Sequence, residues 1–295
     1  MPLPTFPELF ARADGARPAL GVAVAGAADV TVLHALRDAT DRGWARPILC
    51  GDEAAIRALG VPLHGMVFVE SPDPARAAVD EVRAGRASLL MKGQIATPDL
   101  MRAVLSREHG LRTGRVVCQV VLMEIVQHRR AFLLADTGIT PRPTLEQKLD
   151  ILASMRAVAA GLGEPNPRVA VMAASEKATD ALPDTLEAAE IQRRGEAEGL
   201  PVQGPLSFDL AYASEAGERK GLGGGVTGAA DVMLFPDLTS ANLTVKAIMY
   251  TAYCRFGGVL CGAACPVVFM SRADSAETRL RSLALALAVA PGRAT

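Results

Sequence analysis

Short apolar, β-branched runs alternate with stretches of helical periodicity over the first ninety or so residues. That alternation narrows the choice of fold more than any single motif. Residues 19–24, 47–50, 67–69 and 88–91 read as strands. Between them, 30–42, 53–59 and 73–84 carry apolar residues at helical spacing, and Gly43 and Gly85 stand where two of these helices stop. A strand–helix–strand rhythm joins strands in parallel and lays helices over both faces of the sheet. Half of the residues are hydrophobic and only 4% aromatic, which suits parallel strands buried on both sides. The predicted fold class is α/β.

The chain has 295 residues, comfortable for two domains. Its formal net charge of -1 exerts no bulk pull toward nucleic acid or an anionic membrane surface, so neither is expected as a partner. No apolar run approaches the roughly 18 residues of a membrane span, and the first ten residues lack the basic-then-apolar pattern of a signal peptide. The five cysteines, Cys50, Cys118, Cys254, Cys261 and Cys265, are odd in number and most lie in apolar runs. That pattern predicts reduced thiols and a cytoplasmic location. Cys261 and Cys265 are spaced C-x3-C with no second Cys or His pair nearby, so no zinc site is predicted. The four histidines have no acidic or cysteine partner at suggestive spacing, which gives a His-based triad little support.

Five lysines leave 26 of the 31 basic residues as arginine. Four of the five, Lys92, Lys177, Lys220 and Lys246, sit among Gly, Ser, Thr or Asn. Either these places need a compact ammonium or the distribution is chance.

Farther along, 116–125 and 131–135 are adjacent apolar runs around a polar turn that holds His128, the pattern of a hairpin. The twin prolines after Asp136-Thr137-Gly138 suggest a domain junction, placing 1–140 with 263–295 in one α/β domain and 141–262 in an inserted second one. A helix over 145–162 opens on Thr144 with Gln147 as capping-box partner. A strand at 169–173 leads into S-E-K-A-T, a helix covers 182–198, and a strand at 202–206 ends in Ser207-Phe208-Asp209. Residues 219–228 hold five glycines. Their order does not match a P-loop. A G-x-G-x-x-G spacing does occur at Gly223, Gly225 and Gly228, but no strand precedes it at the right place. A strand at 231–235 precedes a helix expected from Asn242 to about 254.

In open α/β sheets ligands sit just beyond the carboxyl ends of strands, and this chain keeps its polar corners there. Residues 266–270 read as a buried strand followed by Ser271-Arg272. Asp274 or Ser275 then caps a long helix with Glu277 and Thr278 in its first turn. A hydroxyl, a guanidinium and a helix N-terminus together suit an anion. An ordinary capped turn with a solvated arginine is the plainer alternative. Lys92-Gly93 ends the fourth strand, and Thr97-Pro98 is predicted to cap and open the next helix.

Taken in order, K-G-Q-I-A-T-P-D-L, D-T-G-I-T-P-R-P-T-L-E-Q-K, S-E-K-A-T, G-P-L-S-F-D, G-A-A-D-V-M-L-F-P-D-L-T-S-A-N-L-T-V-K and P-V-V-F-M-S-R-A-D-S resemble the phosphate acetyl/butyryltransferase family. The likeness is clearest over 87–287, and the M-K-G and S-R-A-D-S forms look nearer its phosphate butyryltransferase branch. It implies a two-domain, three-layer αβα architecture like that of isocitrate and isopropylmalate dehydrogenases, with an active site in the interdomain cleft and a homodimer. The apolar C-terminal helix also suggests a dimer. The implied reaction is acyl-CoA plus phosphate giving acyl phosphate plus CoA, reversibly. Coenzyme A is then a substrate and no metal or redox cofactor is called for, because thioester and acyl phosphate are already activated.

By the same resemblance Ser271 and Arg272 are the catalytic pair, and Lys92, Gly93, Thr97, Arg102, Ser175, Lys177, Asn242 and Lys246 contact substrate. The acetyltransferases carry an aspartate as thiol base six residues after the motif arginine, and this chain has Thr278 there. Asp274 or Glu277 would have to substitute, or Arg272 with water. Two other readings stay open. One is a CoA or acyl-phosphate sensor that has lost its base. The other is a metal-dependent hydroxyacid dehydrogenase of the same fold, for which Asp136, Asp209, Asp231 and Asp237 are the scattered candidates.

Overall fold

The computed structural model describes residues 2–16, 18–271 and 273–290. In chain order the first elements are α1 (Phe6–Gly15), β1 (Leu20–Ala25), α2 (Val30–Asp41), β2 (Ala45–Gly51), α3 (Glu53–Ala58), β3 (Val67–Glu70), α4 (Pro74–Arg83), β4 (Leu89–Lys92) and α5 (Thr97–Val104). Next come β5 (Cys118–Ile125), β6 (Arg130–Ala135), α6 (Leu145–Gly161), β7 (Val169–Met172), α7 (Pro183–Ala197), β8 (Val202–Leu206), α8 (Phe208–Tyr212), α9 (Ser214–Lys220), β9 (Val232–Leu234) and α10 (Leu238–Thr251). The chain closes with β10 (Cys254–Cys261), β11 (Val267–Val268) and α11 (Ala276–Ala288).

Two compact units result. A terminal unit joins Phe6–Arg115 to the chain from Phe256 onward, and an inserted unit holds Val116–Arg255 with the residues before Phe6. The divisions fall at 115/116 and 255/256 rather than at 140/141 and 262/263. The reason is the pairing of the hairpin: β6 lies parallel to β9, so β5 and β6 belong to the inserted sheet.

In the terminal unit the strand order is β3-β2-β1-β4-β11-β10. All pairings are parallel except β10 with β11. Val22 to Ala25 and Leu89 to Met91 are wholly buried, as expected of central parallel strands. Gly21 lets β1 pass close to the backbone of Arg86 and Ala87, where a Cβ would strike the Arg86 carbonyl. α11 packs on α1 and α2, and its Leu283, Leu285 and Leu287 are fully buried. Each such side chain contributes about 1.5–3 kcal/mol by leaving water. The apolar character of this helix is therefore satisfied inside its own unit, and the dimer expectation cannot rest on it.

In the inserted unit the order is β5-β6-β9-β7-β8, antiparallel at β5/β6 and parallel elsewhere. Thr144 and Gln147 form the predicted capping box on α6. Other helix starts move. Ser275, not Asp274, caps α11. α10 begins at Leu238 under Asp237, whose carboxylate accepts from the Ser240 amide, so Asn242 stands one turn inside. α5 begins at Thr97 itself; Ala96 is the cap residue and offers no side-chain acceptor.

Candidate active site

The terminal unit gathers its predicted residues at the carboxyl ends of three neighbouring parallel strands. β4 lies between β1 and β11, with Lys92 level with Ala25 and Met91 level with Val268. Lys92 is 3% exposed, a buried ammonium whose Nζ donates to the Gly93 carbonyl at 3.4 Å. Gly93 is needed for backbone approach. Its amide donates to the Ala25 carbonyl at 2.9 Å, the next amide reaches the Gly26 carbonyl at 2.6 Å, and a Cβ at Gly93 would collide with that carbonyl. Thr97 is exposed at the first position of α5. Arg102 is exposed one turn later, bonded to Asp99 at 2.9 Å. It lines a groove of about 650 Å³ with Pro72, Asp73, Arg76, Ile95 and Asp99.

Ser271 follows β11. Its amide donates to Asp274 Oδ2 at 2.7 Å, and its carbonyl accepts from the Asp274 amide at 3.2 Å. Its hydroxyl is 3.4 Å from the Ala273 amide. Arg272 lies outside the described residues. Thr278 is 6% exposed, and both its amide and its hydroxyl bond to Ser275 Oγ, at 3.2 and 3.1 Å. It serves as a capping partner. Asp274 is engaged by the Ser271 amide, and Glu277 by Arg281 at 2.6 Å.

The inserted unit forms a second gathering. β6, β9, β7 and β8 are parallel neighbours, so their carboxyl ends share one edge. Beyond β6, the buried Asp136 carboxylate accepts from the amides of Gln119, Gly138, Ile139 and Thr140 at 2.7–3.2 Å, which winds the D-T-G-I-T segment around it. Asn242 on α10 donates from Nδ2 to the Thr137 carbonyl at 3.0 Å, holding the same loop from the other side. Lys246, one turn on, is exposed. Beyond β7, Ser175 accepts from the Lys177 amide at 3.2 Å, and the Lys177 side chain is exposed.

Sequence reasoning passed over the residue between them. Glu176 accepts from Lys220 Nζ at 2.6 Å and from Ser207 Oγ at 3.2 Å, and Asp209 pairs with the same ammonium at 3.1 Å. Lys220 and Ser207 hold the two carboxylates below the usual range, and the carboxylates hold Lys220 above its own. Lys220 is thus a structural cation. Its place in R-K-G-L-G-G-G marked it in the sequence, but nothing marked its partners. The glycine-rich segment after it leans on β8: Gln203 Nε2 donates to the Gly223 carbonyl at 3.1 Å, and a Cβ at Gly224 would strike the Gln203 amide group.

The aspartates weighed for a metal are committed elsewhere. Asp136 serves backbone amides, Asp231 is bidentate to Arg168 at 2.9 Å, Asp237 caps α10 and Asp209 faces Lys220. Among the described residues no three His, Cys, Asp or Glu side chains are grouped to hold a metal. Burial pushes the Cys50 and Cys265 thiols up to about 12, which leaves both unreactive near neutrality.

Polar corners at the carboxyl ends of parallel strands, built from lysines, a serine turn and buried loop-shaping carboxylates, are places where an α/β protein can hold small anionic molecules. A family model described as "Phosphate acetyl/butaryl transferase" matches residues 66–287. The chain is 39% identical over 279 residues to a phosphate butyryltransferase of Clostridium acetobutylicum, covering 91% of this chain and 93% of that protein. It is 36% identical over 273 residues to a phosphate acetyltransferase of Thermotoga maritima, covering 90% and 93%. The chain belongs to the phosphate acetyl/butyryltransferase family.

The crystal structure of a branched-chain phosphotransacylase from Enterococcus faecalis V583 superposes with a TM-score of 0.81 at 27% identity, covering 92% of this chain and 98% of that one. A 4-hydroxythreonine-4-phosphate dehydrogenase from Burkholderia phymatum shares the fold at a TM-score of 0.53 and 15% identity, covering 93% and 99%.

Proposed function

We propose that the protein catalyses the reversible transfer of a short-chain acyl group between coenzyme A and inorganic phosphate. The observation that carries this reading is family membership across the body of the chain, joined to intact Lys92-Gly93 and Ser271 corners at adjacent strand ends. In the acyl-phosphate-forming direction, a phosphate oxygen attacks the thioester carbonyl, the tetrahedral oxyanion collapses, and the CoA thiolate leaves and takes up the proton that the phosphate releases. Arg272 balances the developing negative charge and Ser271 hydrogen-bonds the reacting oxygen. Lys92, Lys177 and Lys246 attract the phosphates of the two substrates, with Arg102 at the groove beside α5 and Thr97 and Ser175 as hydroxyl donors. Asn242 acts through the Thr137 loop that it holds, and Gly93 through the closeness of β4 to β1. No metal or redox centre is required by this chemistry. We place the protein in the cytoplasm and assign it a homodimer. Exposed Leu243 and Tyr250, seven residues apart on one face of α10, supply an apolar surface for the second copy.

Thr278 favours one second reading, a CoA or acyl-phosphate sensor without turnover, because a threonine engaged by Ser275 cannot deprotonate a thiol near pH 7. Free-thiol release from acetyl-, propionyl- and butyryl-CoA, with and without phosphate and with EDTA present, separates the two. We expect phosphate-dependent release, resistant to EDTA, that falls at least 100-fold in Arg272→Ala. CoA binding without release from any of the three would leave the sensor.

A further inference from the structure

Arg279 in α11 is a buried cation that the acyl-transfer chemistry above does not use. It is 2% exposed, yet a long apolar side chain would fill the same space without the cost of burying a charge. Its guanidinium is spent on two points far apart in the chain. Nε donates to Thr31 Oγ1 at 2.9 Å, and Nη2 donates to the Ser271 carbonyl at 3.1 Å. Nη1 is buried and finds no acceptor among the described residues. The two contacts that Nε and Nη2 make are what set this position apart from an apolar one.

The anchor on the far side is itself held by hydrogen bonds. Thr31 Oγ1 donates to Asp29 Oδ1 at 2.6 Å, and the same carboxylate oxygen accepts from the Thr31 and Val32 amides at 2.8 and 3.1 Å, capping α2. Asp29 and Asp274 are the acidic groups that act on the guanidinium, and they oppose the burial that pulls its proton affinity down. The Ser271 carbonyl also closes the turn onto the Asp274 amide. One carbonyl is therefore pinned twice: by its own turn, and by a fork that reads the start of α2.

Resting on the acyl-transfer reading, we propose that Arg279 is a positioning residue, keyed by Thr31, that fixes the main chain at Ser271 and with it the direction of the serine hydroxyl. A lysine cannot replace it, because a point-like ammonium does not span two acceptors in a fixed plane. Thr31 is the cleaner handle. Thr31→Val keeps shape and removes the hydroxyl, whereas Thr31→Ser keeps the hydroxyl.

The test combines steady-state kinetics with amide hydrogen exchange on the full-length protein. In Thr31→Val and in Arg279→Lys we expect kcat to fall about tenfold, with KM for acyl-CoA and phosphate within twofold of wild type. Thr31→Ser should return kcat to within twofold. Exchange at the Asp274 amide should quicken about tenfold in Thr31→Val while the β4 amides keep their protection. Unchanged kcat and unchanged exchange in both Thr31→Val and Arg279→Lys overturns the proposal, as does a loss that appears in KM alone. A wild type without phosphate-dependent thiol release sinks the acyl-transfer reading instead. Exchange at Asp274 then decides by itself whether Arg279 and Thr31 hold the turn.

Discussion

Asp29 shows how one side chain sets conditions for its neighbours. Burial pushes its carboxyl pKa up, but the Thr31 hydroxyl, the Val32 and Thr31 amides and the Arg279 charge together hold it below the usual carboxylate range. A depressed carboxylate contributes stability that is present above its unfolded pKa of about 3.9 and is lost as pH falls through the lower folded value. Asp29→Asn should therefore flatten the acid limb of the stability curve below about pH 4. At pH 7 it should cost about 1.5–3 kcal/mol, the worth of a hydrogen bond to a charged acceptor. Urea melts between pH 3 and 7 measure both effects, and parallel curves for the two proteins would remove Asp29 from the acid response. Thr278 is the complementary case. The resemblance implies an aspartate here, and the threonine in its place does helix-cap work with Ser275.

At the scale of elements, the corner from β4 to α5 matters most. Its Gly93 and Gln94 amides are latched onto Ala25 and Gly26 at the end of β1, which holds two strand ends and one helix start in register. Gly93→Ala places a methyl against the Gly26 carbonyl, so the strand ends must part. We expect a loss of about 1–3 kcal/mol, the usual cost of overpacking, together with weaker binding at the proposed Lys92 contact. Thermal melts read the first effect and KM for phosphate the second. An alanine variant that melts with wild type would show the latch to be slack. The Asp136 loop works on the same principle, with a carboxylate in place of the glycine: its four amide bonds let a turn with buried polar groups persist beyond β6. α11 carries the opposite lesson. Its run of apolar residues reads as a surface for a partner, yet the same residues close the core over α1 and α2.

For the whole molecule, each unit is a parallel-sheet body with its polar corners at one set of strand ends, and the predicted residues divide between the two. The proposed homodimer belongs at this scale. Tyr250 is 84% exposed and Leu243 63% exposed on α10, which makes them the residues to change in a test of self-association. Sedimentation velocity should give twice the mass of one chain, and Leu243→Asp with Tyr250→Asp should shift it to the monomer. A wild type that sediments as a single chain would refute the homodimer. Among the described residues, no helix is long and apolar enough to cross a membrane.

The α/β class, the parallel order of strand and helix, and the capping box of Thr144 and Gln147 were legible from the residues alone, because periods of two and 3.6 and the chemistry of caps act over only a few positions. The ordered motifs likewise sufficed to place the chain in its family. Tertiary structure decided the rest. It assigned the hairpin of β5 and β6 to the inserted unit, gave Lys220 to Glu176 and Asp209, bound Asn242 to Thr137, and tied Arg279 to Thr31 and Ser271. Each of these partners is remote in sequence, and no local pattern encodes which remote group a buried donor will meet. That choice follows from strand pairing and from the cost of leaving buried polar groups without partners once the sheet has formed.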